Sequence, residues 1–123
     1  MSRGLIRAAD RQLGARDLSA VQFYALGFMT TADGISMSGI AASLGLRAAT
    51  ATRVVDSLIS RGLAVRVHDE ADRRRLFVHA SAKGRNVHQQ LLPSVLVAEA
   101  EFIRSLEDRD RECLQELSAV LDQ

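Results

Sequence analysis

Residues 62–81, GLAVRVHDEADRRRLFVHAS, decide the fold class of this chain. Apolar and polar side chains alternate on both sides of a central DEADRRR segment, residues 69–75, which is the period of a half-buried strand. The central segment is too polar for a core and ends in three consecutive arginines. We therefore predict a β-hairpin with an arginine-rich tip. The predicted buried side consists of Leu63, Val65 and Val67 in the first strand and Leu76, Val78 and Ala80 in the second.

Two helices should precede this hairpin. Ser36 can cap a short helix that ends at Gly45, and residues 48–61 form a longer one. The apolar face of the longer helix holds Ala51, Val54, Val55, Leu58 and Ile59. Its opposite face holds Ala49, Arg53, Ser57 and Ser60, with Thr50 at the border. A short helix, a turn and a one-faced helix make a helix-turn-helix, whose second helix fits the major groove of DNA.

The N-terminal part also shows helical periodicity. Residues 3–14 predict a short helix, and a second helix begins at Ser19, where Ser19 and Gln22 match a capping box. This helix should extend to about Thr31, followed by a turn at Asp33 and a very short strand at Ile35.

The C-terminal part predicts two more helices. Ser81 can cap a long one over residues 82–103, in which Pro93 predicts a kink or break. A last helix over residues 108–121 places Cys113 on an apolar stripe, so we expect that thiol to be buried rather than to act as a redox sensor. The fold class is therefore mainly α with a small β-hairpin wing, a winged helix-turn-helix flanked by terminal helices.

Composition is that of one ordinary globular domain: 123 residues, 47% hydrophobic and 25% charged. No apolar stretch approaches the length of a membrane span, and the charged N-terminus does not resemble a signal peptide. We expect a cytoplasmic protein that contacts no membrane. With one cysteine and no clustered ligands for His68, His79 and His88, we expect no disulfide, metal or cofactor.

Charge is distributed unevenly along the chain. Residues 45–85 hold nine basic and four acidic side chains, whereas residues 86–123 hold three basic and eight acidic ones. The net charges of +5 and −5 indicate that the helix-turn-helix and hairpin meet a polyanion and that the C-terminal third does not. An arginine-rich tip also suits the narrow, electronegative minor groove beside a major-groove site.

These segments resemble the MarR-type winged-helix regulators from about Leu18 to Gly84. LSAVQF at residues 18–23 is similar to the family's LTxxQF, and IAASLGL at residues 40–46 to its (I/L)AxxLGL. TATRVVDSL at residues 50–58 resembles the TxTRxVDxL recognition helix. The most specific match is GLAVR followed by DRR, within residues 62–74. Position 47 is arginine where the family usually has a capping serine, so that cap should be missing.

The resemblance, together with the exposed face of the recognition helix, implies a set of DNA contacts. Thr50 and Arg53 should meet bases or phosphates, and Arg74 should enter the minor groove, braced by Asp72. The full expected set is Ser38, Arg47, Ala49, Thr50, Arg53, Ser57, Asp72, Arg73, Arg74 and Arg75.

The resemblance also implies a homodimer joined by the first, fifth and sixth helices. Such a dimer would read a pseudo-palindromic double-stranded operator with recognition helices about 34 Å apart. We expect a single domain over residues 1–123, with a DNA-binding core at 18–84 and dimerisation helices at 1–17 and 85–123. A small aromatic or amphipathic effector is expected to relieve repression.

Other interpretations stay open at this point. The hairpin could be a solvated loop, or could meet an acidic protein surface in an interaction module that does not bind DNA. Arg53 could form a surface salt bridge with Asp56 or Asp17. An enzyme is disfavoured, since the sequence offers no Ser-His-Asp set, phosphate-binding loop or acid/base pair.

Overall fold

The computed structural model describes residues 2–14, 18–31 and 34–121. Asp17, an alternative partner for Arg53, and Asp33, in a predicted turn, lie outside these residues. The elements in chain order are α1 (Arg3–Leu13), α2 (Ala20–Thr30), β1 (Ile35–Ser36), α3 (Met37–Leu44), α4 (Ala48–Ser60), β2 (Ala64–His68), β3 (Leu76–Ala80) and α5 (Ala82–Leu121). The predicted fold class, mainly α with a hairpin wing, is confirmed.

The predicted capping box starts α2. Ser19 Oγ accepts a hydrogen bond from the Gln22 backbone N–H at 3.2 Å, and Gln22 Oε1 accepts one from the Ser19 N–H at 2.9 Å. Leu18 and Phe23, at the two positions of a hydrophobic staple on either side of the cap, are both buried. The Asp10 carboxylate accepts a further hydrogen bond from the Ala20 N–H at 2.7 Å. The start of α2 is therefore fixed both locally and against α1.

The three strands form one antiparallel sheet in the order β1-β3-β2. Ile35 pairs with Val78, and Val65 pairs with His79. The predicted burial of β3 is confirmed at Val78 and Ala80, while Leu76 is half-buried. This sheet is the wing, and the turn of residues 69–75 between β2 and β3 is its tip.

The burial predicted for Leu63, Val65 and Val67 is confirmed only for Leu63 and is wrong for the two valines in β2. Leu63 and Ala64 are buried, but Val65 and Val67 are 45% and 46% exposed. The reason is that β2 is an edge strand that leaves the core after Ala64. The alternation of apolar and polar residues predicted the strand, but it did not predict where along the strand the hydrophobic core ends.

The core collects apolar side chains from all five helices and from β2 and β3. Its largest fully buried members are Leu26, Met29, Ile40, Leu58, Leu63, Val55, Val78 and Val95. Because α2 supplies two of them and lies between the helix-turn-helix and α5, it connects the wing-bearing unit to the long helix.

Gly84 marks a close approach between α5 and Leu63, the residue before β2. A Cβ atom at this position would lie 2.0 Å from the carbonyl oxygen of Leu63 and 3.2 Å from Cδ2 of Leu26. That carbonyl cannot easily move, because it already accepts the Ser81 N–H at 3.0 Å. The Ser81 hydroxyl accepts the Gly84 N–H at 3.0 Å, which confirms Ser81 as the cap of α5.

The C-terminal part departs from prediction, since α5 is one helix of 40 residues rather than two. The helix is not broken at Pro93, although proline cannot donate the backbone bond of that turn. Residues 104–107 contain neither glycine nor proline, so nothing local ends the helix there. Cys113 is exposed, not buried as predicted, because its part of α5 packs against no other described element of the chain.

Candidate nucleic-acid interface

The helix-turn-helix consists of α3, a tight turn and α4. Ser36 Oγ accepts the Gly39 N–H at 3.0 Å and starts α3. Gly45 ends it with a left-handed φ of 66°, a conformation that glycine adopts without the steric cost of a Cβ. Arg47 then stands at the N-cap of α4 with no side-chain capping bond, as its identity predicted. The turn is thus only three residues long.

The N-terminal half of α4 presents its polar side to solvent. Ala49, Thr50 and Arg53 are all exposed, whereas Ala51 and Val55 on the other side are buried. Arg47, in the turn, and Ser38, in the first turn of α3, are also exposed, and the Ser38 hydroxyl lies 3.2 Å from that of Ser36. A DNA groove approaching this side of α4 would meet no other element first.

Ser57 differs from the other residues expected to contact DNA. It is half-buried, and its Oγ accepts a hydrogen bond from Gln22 Nε2 at 2.8 Å. The hydroxyl is therefore engaged within the protein, at the end of α4 that packs beside α2.

The wing tip is shaped by its own backbone while its arginines face solvent. The Asp72 carboxylate accepts the Arg74 backbone N–H at 3.1 Å, and the Asp72 carbonyl accepts the Arg75 N–H at 2.9 Å. Nε of Arg74 lies 3.8 Å from Oδ1 of Asp72, yet the Arg74 side chain is 96% exposed. Arg73 and Arg75 are also exposed. The Asp72 carboxylate thus lies beside Arg74 without withdrawing the guanidinium from solvent.

An ion pair joins the wing to α4. The Arg66 guanidinium on β2 pairs with the Asp56 carboxylate on α4. Asp56 is therefore engaged by Arg66, and no ion pair between Asp56 and Arg53 is present. Because both partners are partly exposed, the pair adds little to stability. The pair links α4 to β2, the strand that leads to the arginine tip.

Sequence reasoning placed Gln22 and Arg66 in motifs but gave neither a role at the interface. The signal for Arg66 was available, since it and Asp56 are both fixed letters of the resemblance. The role of Gln22 was missed because the capping box already explained this residue. The cap engages only the amide oxygen, and the amide nitrogen remains available for a distant partner.

Two contacts connect α2 with α5. The Tyr24 hydroxyl donates a hydrogen bond to Glu99 Oε1 at 2.7 Å, and the Phe23 and His88 rings stack with centroids 4.5 Å apart. Burial, and then the Glu99 carboxylate, raise the pKa of Tyr24 well above its usual range. Burial lowers the pKa of His88. Movement of α5 relative to α2 would have to disturb both contacts.

His88 predicts a loss of stability in mild acid. Because its pKa is lower in the folded chain than in the unfolded one, the unfolded chain takes up the proton first as pH falls. The contribution of His88 to the free energy of unfolding is therefore retained above a pH of about 6.5 and is lost progressively below that pH. We expect a lower urea midpoint at about pH 5.5 than at about pH 7.5. His88→Gln should reduce this difference in urea midpoint, and the control His68→Gln, at an exposed site, should not. Equal differences in the two variants would contradict the assignment to His88.

Within the described ranges, no cluster of three or more His, Cys, Asp or Glu side chains is placed to hold a metal ion. No helix of the described part has the length and hydropathy to cross a membrane.

Comparisons with known proteins agree with this geometry. The MarR family model matches residues 16–75. The transcriptional regulator HosA of Escherichia coli O127:H6 is 28% identical over 101 residues, which cover 82% of this chain and 75% of HosA.

Solved structures give the same result. A MarR family transcriptional regulator from Rhodococcus sp. RHA1 is 26% identical, with a TM-score of 0.69 over 92% of this chain and 83% of its own. CouR from Rhodococcus jostii RHA1, bound to p-coumaroyl-CoA, is 25% identical, with a TM-score of 0.74 over 92% and 82%. CouR bound to a 23-mer DNA duplex gives a TM-score of 0.71 at 24% identity, over 97% and 84%. Motifs, fold and relatives agree: the chain is similar to the MarR family of transcriptional regulators.

Proposed function

We propose that this protein is a sequence-specific DNA-binding transcriptional repressor that acts as a homodimer in the cytoplasm. One observation carries the proposal: the exposed half of α4 and an exposed arginine tip belong to one unit, joined by the Asp56–Arg66 pair. A binding role of this kind requires no catalytic group.

In the proposed complex, α4 lies in the major groove. Thr50 and Arg53 are placed to contact base edges or phosphates, with Ala49 against the groove surface. Arg47, in the turn, and Ser38, at the start of α3, would contact backbone phosphates. The exposure of all five residues supports these roles.

The wing would follow the adjacent minor groove. Arg74, oriented by Asp72, is suited to insert into it, because a narrow minor groove concentrates negative potential. Arg73 and Arg75 are placed beside it for phosphates. Net charge along the chain supports this arrangement, since the +5 segment of residues 45–85 covers the turn, α4, the wing and the start of α5.

The homodimer follows from the distal part of α5. Residues 103–120 are all exposed in the single chain, and they include large apolar side chains at helical spacing: Ile103, Leu106, Leu114, Leu117 and Val120. An apolar row of this length in solvent marks a protein–protein contact. A second copy supplies an identical row, and twofold symmetry would present two recognition helices to a pseudo-palindromic operator.

The relatives support both DNA and effector binding. CouR has been captured on a DNA duplex and with p-coumaroyl-CoA. By analogy, a small aromatic or amphipathic effector would act on this chain by favouring one spacing of the two recognition helices. The contacts at Tyr24 and His88 between α2 and α5 lie where such a change would have to pass.

Titration of labelled duplex DNA at several salt concentrations tests the proposed function. An operator selected from a random pool should bind more tightly than random duplex, and log affinity should fall linearly with log salt, by about 0.9 per phosphate contacted. Failure to bind any duplex at low salt would reject the proposal. It would favour instead the interaction module in which the basic wing meets an acidic protein.

Sedimentation velocity tests the dimer. The wild-type chain should sediment as a dimer, and Leu117→Glu should shift it towards monomer, because two buried carboxylates would replace two apolar contacts. Glu116→Gln, at the adjacent exposed position, serves as the matched control and should stay dimeric. A Leu117→Glu variant that remains fully dimeric would remove this face from the interface.

A further inference from the structure

The Gln22 side chain is shared between two helices. Its Oε1 closes the capping box of α2 by accepting the Ser19 N–H at 2.9 Å, and its Nε2 donates to Ser57 Oγ on α4 at 2.8 Å. Both ends of the amide are therefore engaged, and the capping box fixes the position of the amide before it meets α4. A donor held in this way is a stiff support rather than a flexible surface contact.

Ser57 occupies a special place on α4. Residues 50, 53 and 57 follow the three- and four-residue spacing of one helix face, so Ser57 continues the row that carries Thr50 and Arg53. Thr50 and Arg53 are exposed, whereas Ser57 is half-buried. The hydrogen bond from Gln22 thus restrains the same row of side chains that would face DNA.

The neighbouring residue is held from another element. Asp56 pairs with Arg66 of β2, while Ser57 is held by α2. Consecutive residues of a helix point about 100° apart, so these two ties restrain α4 from different sides. Rotation of α4 about its axis would break one or both of them. Direct readout depends on that rotation, since hydrogen bonds to base edges require close geometry.

We propose that Gln22 is a positioning residue for the recognition helix: its bond to Ser57 fixes the rotation of α4 and so sharpens discrimination between operator and other DNA. The inference rests on the proposed DNA-binding function. It assigns Ser57, expected from sequence to contact DNA, the role of an anchor within the protein.

Binding of selected operator and random duplex by four variants tests the inference. Ser57→Ala and Gln22→Leu should each lower the operator-to-random affinity ratio about fivefold, the value of one net hydrogen bond. The double variant should lower the ratio no further than either single change, because both remove the same bond. Ser19→Ala, which removes the serine side of the cap but keeps Gln22, should lower thermal stability and leave the ratio unchanged.

The pattern of results separates the possible explanations. A loss confined to Ser57→Ala would make Ser57 a direct DNA contact and overturn the inference, as would unchanged ratios in both single variants. A ratio that falls equally in Ser19→Ala would show a general effect of stability and overturn it as well. If the wild-type chain bound no duplex, the proposed function itself would fail; normal wild-type selectivity with unaffected variants would reject only the role of Gln22.

Discussion

Replacing Arg73, Arg74 and Arg75 together by alanine should weaken DNA binding about a thousandfold near 0.15 M salt. A dimer would lose six guanidinium groups, and each phosphate contact accounts for about fivefold in affinity at this salt concentration through counterion release. Four contacts among the six suffice for the thousandfold loss. The three side chains are exposed and make no core contacts, so the fold should remain intact.

The slope of log affinity against log salt is the decisive measurement for this variant. It should become shallower by about four units, which separates lost phosphate contacts from loss of fold. Replacing the same three residues by lysine is the matched control: the slope should be largely kept, while selectivity falls because lysine lacks the planar guanidinium. An alanine variant with wild-type affinity and slope would show that the wing does not touch DNA.

Gly84→Ala should destabilise the protein by about 3 kcal/mol or more. At an exposed helical site the same change would stabilise by about 1 kcal/mol, because alanine is the better helix former. Here the added Cβ would meet the Leu63 carbonyl oxygen at 2.0 Å, and backbone on both sides of that contact is held by hydrogen bonds. Relief requires the start of α5 to move away from the wing, which would open the core around Leu26.

Urea unfolding at a fixed protein concentration measures this effect, since association contributes to the stability of a dimer. Gly27→Ala on α2 is the matched control. Its Cβ would approach only the end of the His88 ring, at 3.0 Å, and a side chain can shift where backbone cannot. We expect a change within about 1 kcal/mol there. A Gly84→Ala protein as stable as wild type would mean that α5 and β2 are less tightly apposed than described.

Much of the fold could be predicted from interactions between residues that are close together in the sequence. Caps at Ser19, Ser36 and Ser81 depend on neighbours three residues away, so the sequence contains their partners, and each forms as predicted. The hairpin was equally accessible, because alternation and a polar tip are local patterns. The same holds for the missing cap at Arg47.

The predictions that were wrong concerned features that depend on tertiary structure. Val65 and Val67 have the pattern of a buried face, but only tertiary structure decides how far along β2 the core extends. The sequence analysis predicted two helices, over residues 82–103 and 108–121, whereas no residue between 103 and 108 breaks a helix. Cys113 lies on an apolar row that no described residue of its own chain covers.

The candidate site divides in the same way. The exposure of Ala49, Thr50 and Arg53 follows from the periodicity of α4, and so could be predicted. The links from Asp56 to Arg66 and from Gln22 to Ser57 join residues 10 and 35 positions apart, and no periodicity within one element reports them.

The length of α5 has a consequence for how the protein responds to its own abundance. Its last turns, residues 103–120, are helical and exposed to solvent throughout. Isolated helical turns in water are only marginally stable, so these should fray in dilute solution and become ordered when a neighbour covers them. Helical content would then rise with protein concentration. The order of the C-terminal end of α5 would therefore depend on how much of the regulator is present.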